Sequence, residues 1–186
     1  MHRILRSTLL TALTLAGAVW LAGCSSAPMG PGSNEVKNPV FLTAAPPAAG
    51  TFSAGAATSG LSGSAAIDGA LGGSLQVGRF SLTVPAGAYQ GMATVTINVP
   101  DATIVRCQLG ITPMSANQFT IPVVMRSDCT GTDALSAASL CEIWYDAAAD
   151  VWRQVPGSTP DIVNFDVIAP LTHFSEYGVI EGKAGW

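Results

Sequence analysis

From Arg79 to Ile180 the chain is a succession of short apolar runs of period two, each closed by a turn signal, and that pattern leaves few folds open. Residues 79–84 alternate with Phe80, Leu82 and Val84 on one face, and residues 93–99 repeat the pattern with Val95 and Ile97. Further runs occupy 103–111, 119–125, 140–145, 151–155, 162–168 and 174–180. Val, Ile, Thr and aromatic side chains dominate them, which suits a pleated, half-buried surface. Pro85, Gly87, Pro100, Pro113, Pro156, Gly157 and Pro170 punctuate the series. Many short strands at close spacing predict an all-β antiparallel sandwich. Residues 135–140 predict one helical turn between strands. Residues 142–146 and 151–155 predict a hairpin, with Asp146 and Asp150 flanking its turn. Two carboxylates fall short of the six to eight oxygens calcium takes, so these aspartates read as turn residues bonding their own backbone.

The start of the chain has another character. Arg3 and Arg6 precede an apolar run over 4–21, which ends in Leu21-Ala22-Gly23-Cys24. This is the pattern of a signal peptide over 1–23 closed by a lipobox, with cleavage before Cys24 and acylation of its thiol by diacylglycerol and palmitate. The run sits near the lower limit for a membrane span, contains Thr8, Thr11 and Thr14, and is followed by no basic stop-transfer cluster. The expected location is the cell envelope, lipid-anchored to a membrane. Ser25 in place of Asp points by analogy to the outer membrane of a Gram-negative cell. Residues 24–66 are mostly Ala, Gly, Ser, Pro and Thr and read as a flexible tether with a root-mean-square span of roughly 35 Å. An apolar island at Pro39-Val40-Phe41-Leu42 is either an added edge strand or a sticky patch, the second being the preferred reading. The folded domain is expected over 67–182.

Without residues 1–23 the chain holds six Lys/Arg against twelve Asp/Glu, a net charge of −6. With no basic run and no basic-aromatic interleaving, nucleic-acid binding is disfavoured. Charge-driven adsorption to anionic lipid is disfavoured too, which leaves membrane attachment to the lipid. With Cys24 acylated, Cys107, Cys129 and Cys141 remain in an oxidising compartment. Cys107 alternates with Val105 and Leu109, and Cys141 with Ile143 and Tyr145, so both are expected to point inward, while Cys129 lies in a loop. Parity favours a Cys107–Cys141 disulfide. A bridge from Cys129 to either, or three unpaired thiols, stays open. Zinc is unsupported by these wide spacings and one remaining histidine. No cofactor or metal site is predicted.

Gly72-Gly73-Ser74-Leu75, the stretch from Phe80 to Val84 with Pro85-Ala86-Gly87-Ala88, then Gly91 and Thr94-Val95-Thr96-Ile97 resemble the opening of the "ZU-five" domain of ankyrins, Unc-type netrin receptors and the zonula occludens protein. Ile111-Thr112-Pro113, Phe119 and Pro122-Val123-Val124 are similar to its middle. Trp152 and His173-Phe174-Ser175-Glu176-Tyr177-Gly178-Val179 are similar to its closing strands. The resemblance implies an all-β sandwich with immunoglobulin-like packing, acting as a structural or protein-interaction module. It lacks the ankyrin repeats and partner domains of the animal proteins, so their partners do not transfer.

His173 is the only histidine outside the predicted signal peptide, and no Gly-x-Ser-x-Gly elbow or phosphate-cradling loop is present. In some relatives of this domain a His-Phe-Ser sequence cleaves itself between Phe and Ser. Transferred here, Ser175 Oγ would attack the Phe174 carbonyl with His173 as base. The competing and preferred reading is packing, with Phe174 in the core. A third reading takes Trp144 and Trp152 as candidates for binding envelope glycans. The sequence therefore predicts a non-enzymatic, lipid-anchored interaction or structural module whose partner is an unknown envelope protein or polymer.

Overall fold

The computed structural model describes residues 35–44 and 60–182, all within the compact unit Pro31–Trp186. The expected signal peptide over 1–23 and Cys24 lie outside the described residues. Strands β1 (Glu35–Val36), β2 (Leu61–Asp68), β3 (Gly73–Val77), β4 (Phe80–Val84), β5 (Met92–Val99) and β6 (Arg106–Thr112) come first. Then follow β7 (Val123–Asp128), β8 (Leu140–Asp146), β9 (Val151–Gln154), β10 (Thr159–Asp161), β11 (Asp166–Leu171) and β12 (Glu176–Glu181). They form a seven-stranded sheet of order β1-β9-β8-β12-β6-β5-β2 and a five-stranded sheet of order β10-β11-β7-β4-β3. Every pairing is antiparallel, and the chain is an all-β sandwich. Alternation dictates the core: Phe80, Leu82 and Val84 of β4 are buried against Val95, Ile97 and Val99 of β5, with Met125, Val167, Leu171, Tyr177 and Val179.

Two runs shift from their expected places because bonds outside the ladder claim their backbone. Residues 119–122 tie loops together instead of pairing: Phe119 N–H donates to the Thr172 carbonyl and Thr120 N–H to that of Ala88. Strand β7 therefore begins at Val123. Residues 162–165 form a turn held by Asp161, whose carboxylate accepts from the Val163 and Asn164 N–H groups, and β11 begins at Asp166. The expected helical turn is a 3₁₀ turn at Ala137–Ser139.

The expected tether over 24–66, and the domain start at 67, need correction. Strand β2 begins at Leu61, and residues 35–44 form a strap built into the large sheet. Leu42 N–H donates to the Val179 carbonyl and Val105 N–H to the Leu42 carbonyl. Thr43 N–H and Oγ1 donate to the two carboxylate oxygens of Asp133, at 2.8 and 2.6 Å. The apolar island is a docked segment, neither an edge strand nor a loose patch. Leu42 enters the core, while Phe41 lies on the outer face of the sheet and meets Trp152 edge-on at 4.9 Å. Arg106 lies over the Phe41 ring, 5.5 Å from its centre. Gly178 makes room for that ring, since a Cβ there would sit 2.5 Å from it. Ile143 and Ile180 are buried on this outer face, outside the main core cluster.

The disulfide expectation is also corrected: Cys107, Cys129 and Cys141 are free. The register explains why. Tyr177 of β12 pairs with Cys107, whereas Ile180, three residues on, pairs with Cys141. An odd offset puts the two cysteines on opposite faces of one sheet. Cys107 points into the core and Cys141 away from it.

Candidate functional site

One end of the sandwich gathers the chemistry-bearing residues the sequence singled out. The loops β2–β3, β4–β5, β6–β7 and β11–β12 all meet there. Phe174 is buried in the core, edge-on to Phe119 at 4.7 Å. Its N–H donates to Asn117 Oδ1 at 2.6 Å, and its carbonyl accepts from Asn117 Nδ2 at 3.1 Å. Asn117 thus clamps the peptide unit that precedes Ser175. Tyr177 Oη donates to the His173 carbonyl at 2.6 Å, four residues back, in the manner of a tyrosine corner. These bonds make His173-Phe174-Ser175 the pinned corner between β11 and β12.

The nucleophile geometry is not assembled there. Ser175 Oγ donates to the Tyr145 backbone carbonyl at 2.7 Å, a group that takes no proton. The His173 ring lies edge-on to Trp144 at 4.7 Å, and its polar contact is Thr172 Oγ1, 3.4 Å from Nδ1. Burial holds the imidazole below its ordinary pKa, partly opposed by Asp146, so it is neutral near pH 7. The Asn117 amide polarises the Phe174 carbonyl, but among the described residues no basic group bonds Ser175 Oγ.

Beside this corner the loops enclose an open groove of about 510 Å³, lined by Ala70, Tyr89, Gln90, Ser115, Gln118 and Thr120 among others. Its wall is stitched by Thr120 Oγ1, which donates to the Gly87 carbonyl at 2.8 Å, and by Tyr89 Oη, which donates to the Ile67 carbonyl at 3.1 Å. Burial, with Asp68 second, raises the Tyr89 pKa, so the phenol stays neutral. Among the described residues, no Asp, Glu, Lys, Arg or His lines the groove. The same loops leave Leu71, Met114 and Ile121 exposed, and Met92 at the start of β5 is exposed as well. Asn117, Gln90 and Gln118 gave no sequence signal beyond lying in a polar loop.

The remaining sequence candidates are structural. Trp144 pairs across from Arg153, and Trp152 from Tyr145, so the two indoles lie on opposite faces and cannot form one platform. Asp146 accepts from the Ala148 and Ala149 N–H groups and from Arg153 Nε at 2.9 Å, and Asp150 accepts from Tyr145 Oη. Burial, with Glu142 second, raises all three thiol pKa values, that of Cys129 to about 12 and that of Cys141 to about 11. They are protonated thiols and poor nucleophiles. The residue that sequence reading missed altogether is Glu142. It is fully buried between the sheets, with Oε2 accepting from Ser127 Oγ at 2.9 Å and Oε1 unpartnered among the described residues. Among the described residues no group of three potential metal ligands occurs, and no helix is long and apolar enough to cross a membrane.

No protein family, curated protein or solved structure matches the chain.

Proposed function

We propose that this chain is an exported lipoprotein of the cell envelope, anchored through acylated Cys24. Its sandwich is a non-enzymatic interaction module that presents the loop-end groove to a protein partner. The observation that carries the reading is the groove itself. Its described lining is uncharged and offers the amides of Gln90 and Gln118, and exposed Leu71, Met92, Met114 and Ile121 each adjoin a lining residue in the chain. Clustered exposed apolar side chains beside hydrogen-bonding groups mark interaction surfaces, and methionine adapts to varied apolar partners. The resemblance to the ZU-five domain supports the same class of role. With the strap starting at Glu35, the chain from Cys24 to the domain extends to at most about 40 Å, against at most about 150 Å for a tether over residues 24–66.

Self-processing keeps one favourable observation, the Asn117 amide on the Phe174 carbonyl, and lacks a base on Ser175. Glycan binding through Trp144 and Trp152 has no shared face.

A photo-crosslinking residue in place of Gln118, in the full chain in its native envelope, tests the proposal. An adduct to a second protein is expected at Gln118 and not at Ser81, on the outer face of the smaller sheet. Equal yields at both positions, or none at Gln118, would overturn the groove as the binding element.

A further inference from the structure

Four strands end the two sheets, and they differ in how openly they present their backbone. Strand β1 has two residues and is followed by Lys37 and Pro39; β10 has three, with Pro160 at its centre; β3 has five. Shortness, proline and lysine are the usual means of blunting an edge. Strand β2 uses none of them. It runs eight residues, Leu-Ser-Gly-Ser-Ala-Ala-Ile-Asp, and carries no charge before Asp68. It bonds β5 on one side. Beyond that ladder, among the described residues, Tyr89 Oη bonds the Ile67 carbonyl, and the Leu71 and Gly72 N–H groups bond that of Asp68. Among the described residues, the backbone of residues 61–66 has no partner on its outer side. Ser62, Ser64 and Ala66 are exposed and continue onto uncharged Thr94, Thr96 and Asn98 of β5. A small-residue, uncharged edge is a template for another strand.

We propose that the occupant is a second copy of this chain, paired β2 to β2, antiparallel, about a twofold axis at Ser64. A twofold perpendicular to the sheet keeps both outer faces on one side, so Ser64 meets its own counterpart. Ser62 then meets Ala66, Gly63 meets Ala65 and Leu61 meets Ile67. No like charges oppose one another, because Asp68 falls opposite Gly60. The strand is therefore complementary to itself in charge and size, as an isologous contact requires. The ladder, roughly 24 Å long, makes an interface at the small end of specific ones, so association is transient, with a dissociation constant on the order of 10 μM or weaker.

Ser64→Cys in the full chain, oxidised in its own membrane, reads the proposal directly. A product of twice the chain mass is expected, at least fivefold more abundant than from wild type or from Thr83→Cys on the other sheet. If Ser64→Cys crosslinks no more than Thr83→Cys while a maleimide labels both, or gives a product of another mass, the second copy is not the occupant. In detergent, sedimentation of the full chain should show a concentration-dependent dimer, weakened at least tenfold by Ser64→Lys with an unchanged far-ultraviolet spectrum. A wild-type monomer at every concentration would overturn the proposal.

Discussion

Replacing Glu142 by Gln should stabilise the protein, by an amount set by pH. The carboxyl is fully buried, and burial pushes its pKa from 4.5 up to about 8, the Ser127 hydroxyl opposing that shift. Below pH 4.5 the group is protonated in both folded and unfolded chains and takes nothing from stability. Between 4.5 and about 8 the unfolded chain ionises it and the folded chain does not, so stability falls as pH rises. Above about 8 both states are ionised and the loss levels off. At 1.36 kcal/mol per pH unit the loss is about 3 kcal/mol at pH 7 and about 5 kcal/mol at pH 8.5. Gln keeps the shape and does not titrate. Urea unfolding of both proteins at pH 4.5, 7 and 8.5 should give near-equal midpoints at the lowest pH and a gap that widens with pH, at constant slope. The remaining titrating groups cancel in the difference. A gap independent of pH would refute the reasoning, because Glu142 would then be ionised or solvated in the folded state.

Four further outcomes concern the strap and the corner. Leu42→Ala should cost about 2–4 kcal/mol in urea unfolding, whereas Val40→Ala, 83% exposed, should stay within about 0.5 kcal/mol; equal small effects would mean the strap is not docked. Gly178→Ala forces its Cβ against the Phe41 ring and should cost about 1–3 kcal/mol, less in a Phe41→Ala background, as a double-mutant cycle would report. Tyr177→Phe removes the bond to the His173 carbonyl and should cost about 1–2 kcal/mol by the same unfolding assay, while Ser175→Ala leaves the electrophoretic size of the chain unchanged.

Period-two alternation carried most of the sandwich, because a strand with one buried face writes that face into every second residue. Strands β4 and β5 were legible for this reason. Strand β2 was not: its Ser, Gly and Ala residues carry no apolar rhythm, and it is placed by pairing with β5. The strap was visible only as an apolar island, since Val40, Phe41 and Leu42 among Pro, Asn and Thr do not say where they dock until a gap over Gly178 receives Phe41. In β8 the alternation misled. Cys141, Ile143 and Tyr145 read as the inward set, yet Leu140 and Glu142 face the main core. A buried carboxylate inverted the parity, and the disulfide expectation failed with it. Of the loop end, the His173-Phe174-Ser175 corner was visible as a motif. The groove beside it was not, because it is assembled from polar loops far apart in sequence.

Intact mass of the full protein, extracted from its native membrane and alkylated under denaturing, non-reducing conditions, tests the central claim most directly. The account predicts one species that begins at acylated Cys24, continues unbroken through Phe174 and Ser175, and carries three alkyl groups, at Cys107, Cys129 and Cys141. A chain that retains residues 1–23 without lipid would contradict the anchor, and a pair of fragments split at Phe174 would contradict the non-enzymatic corner.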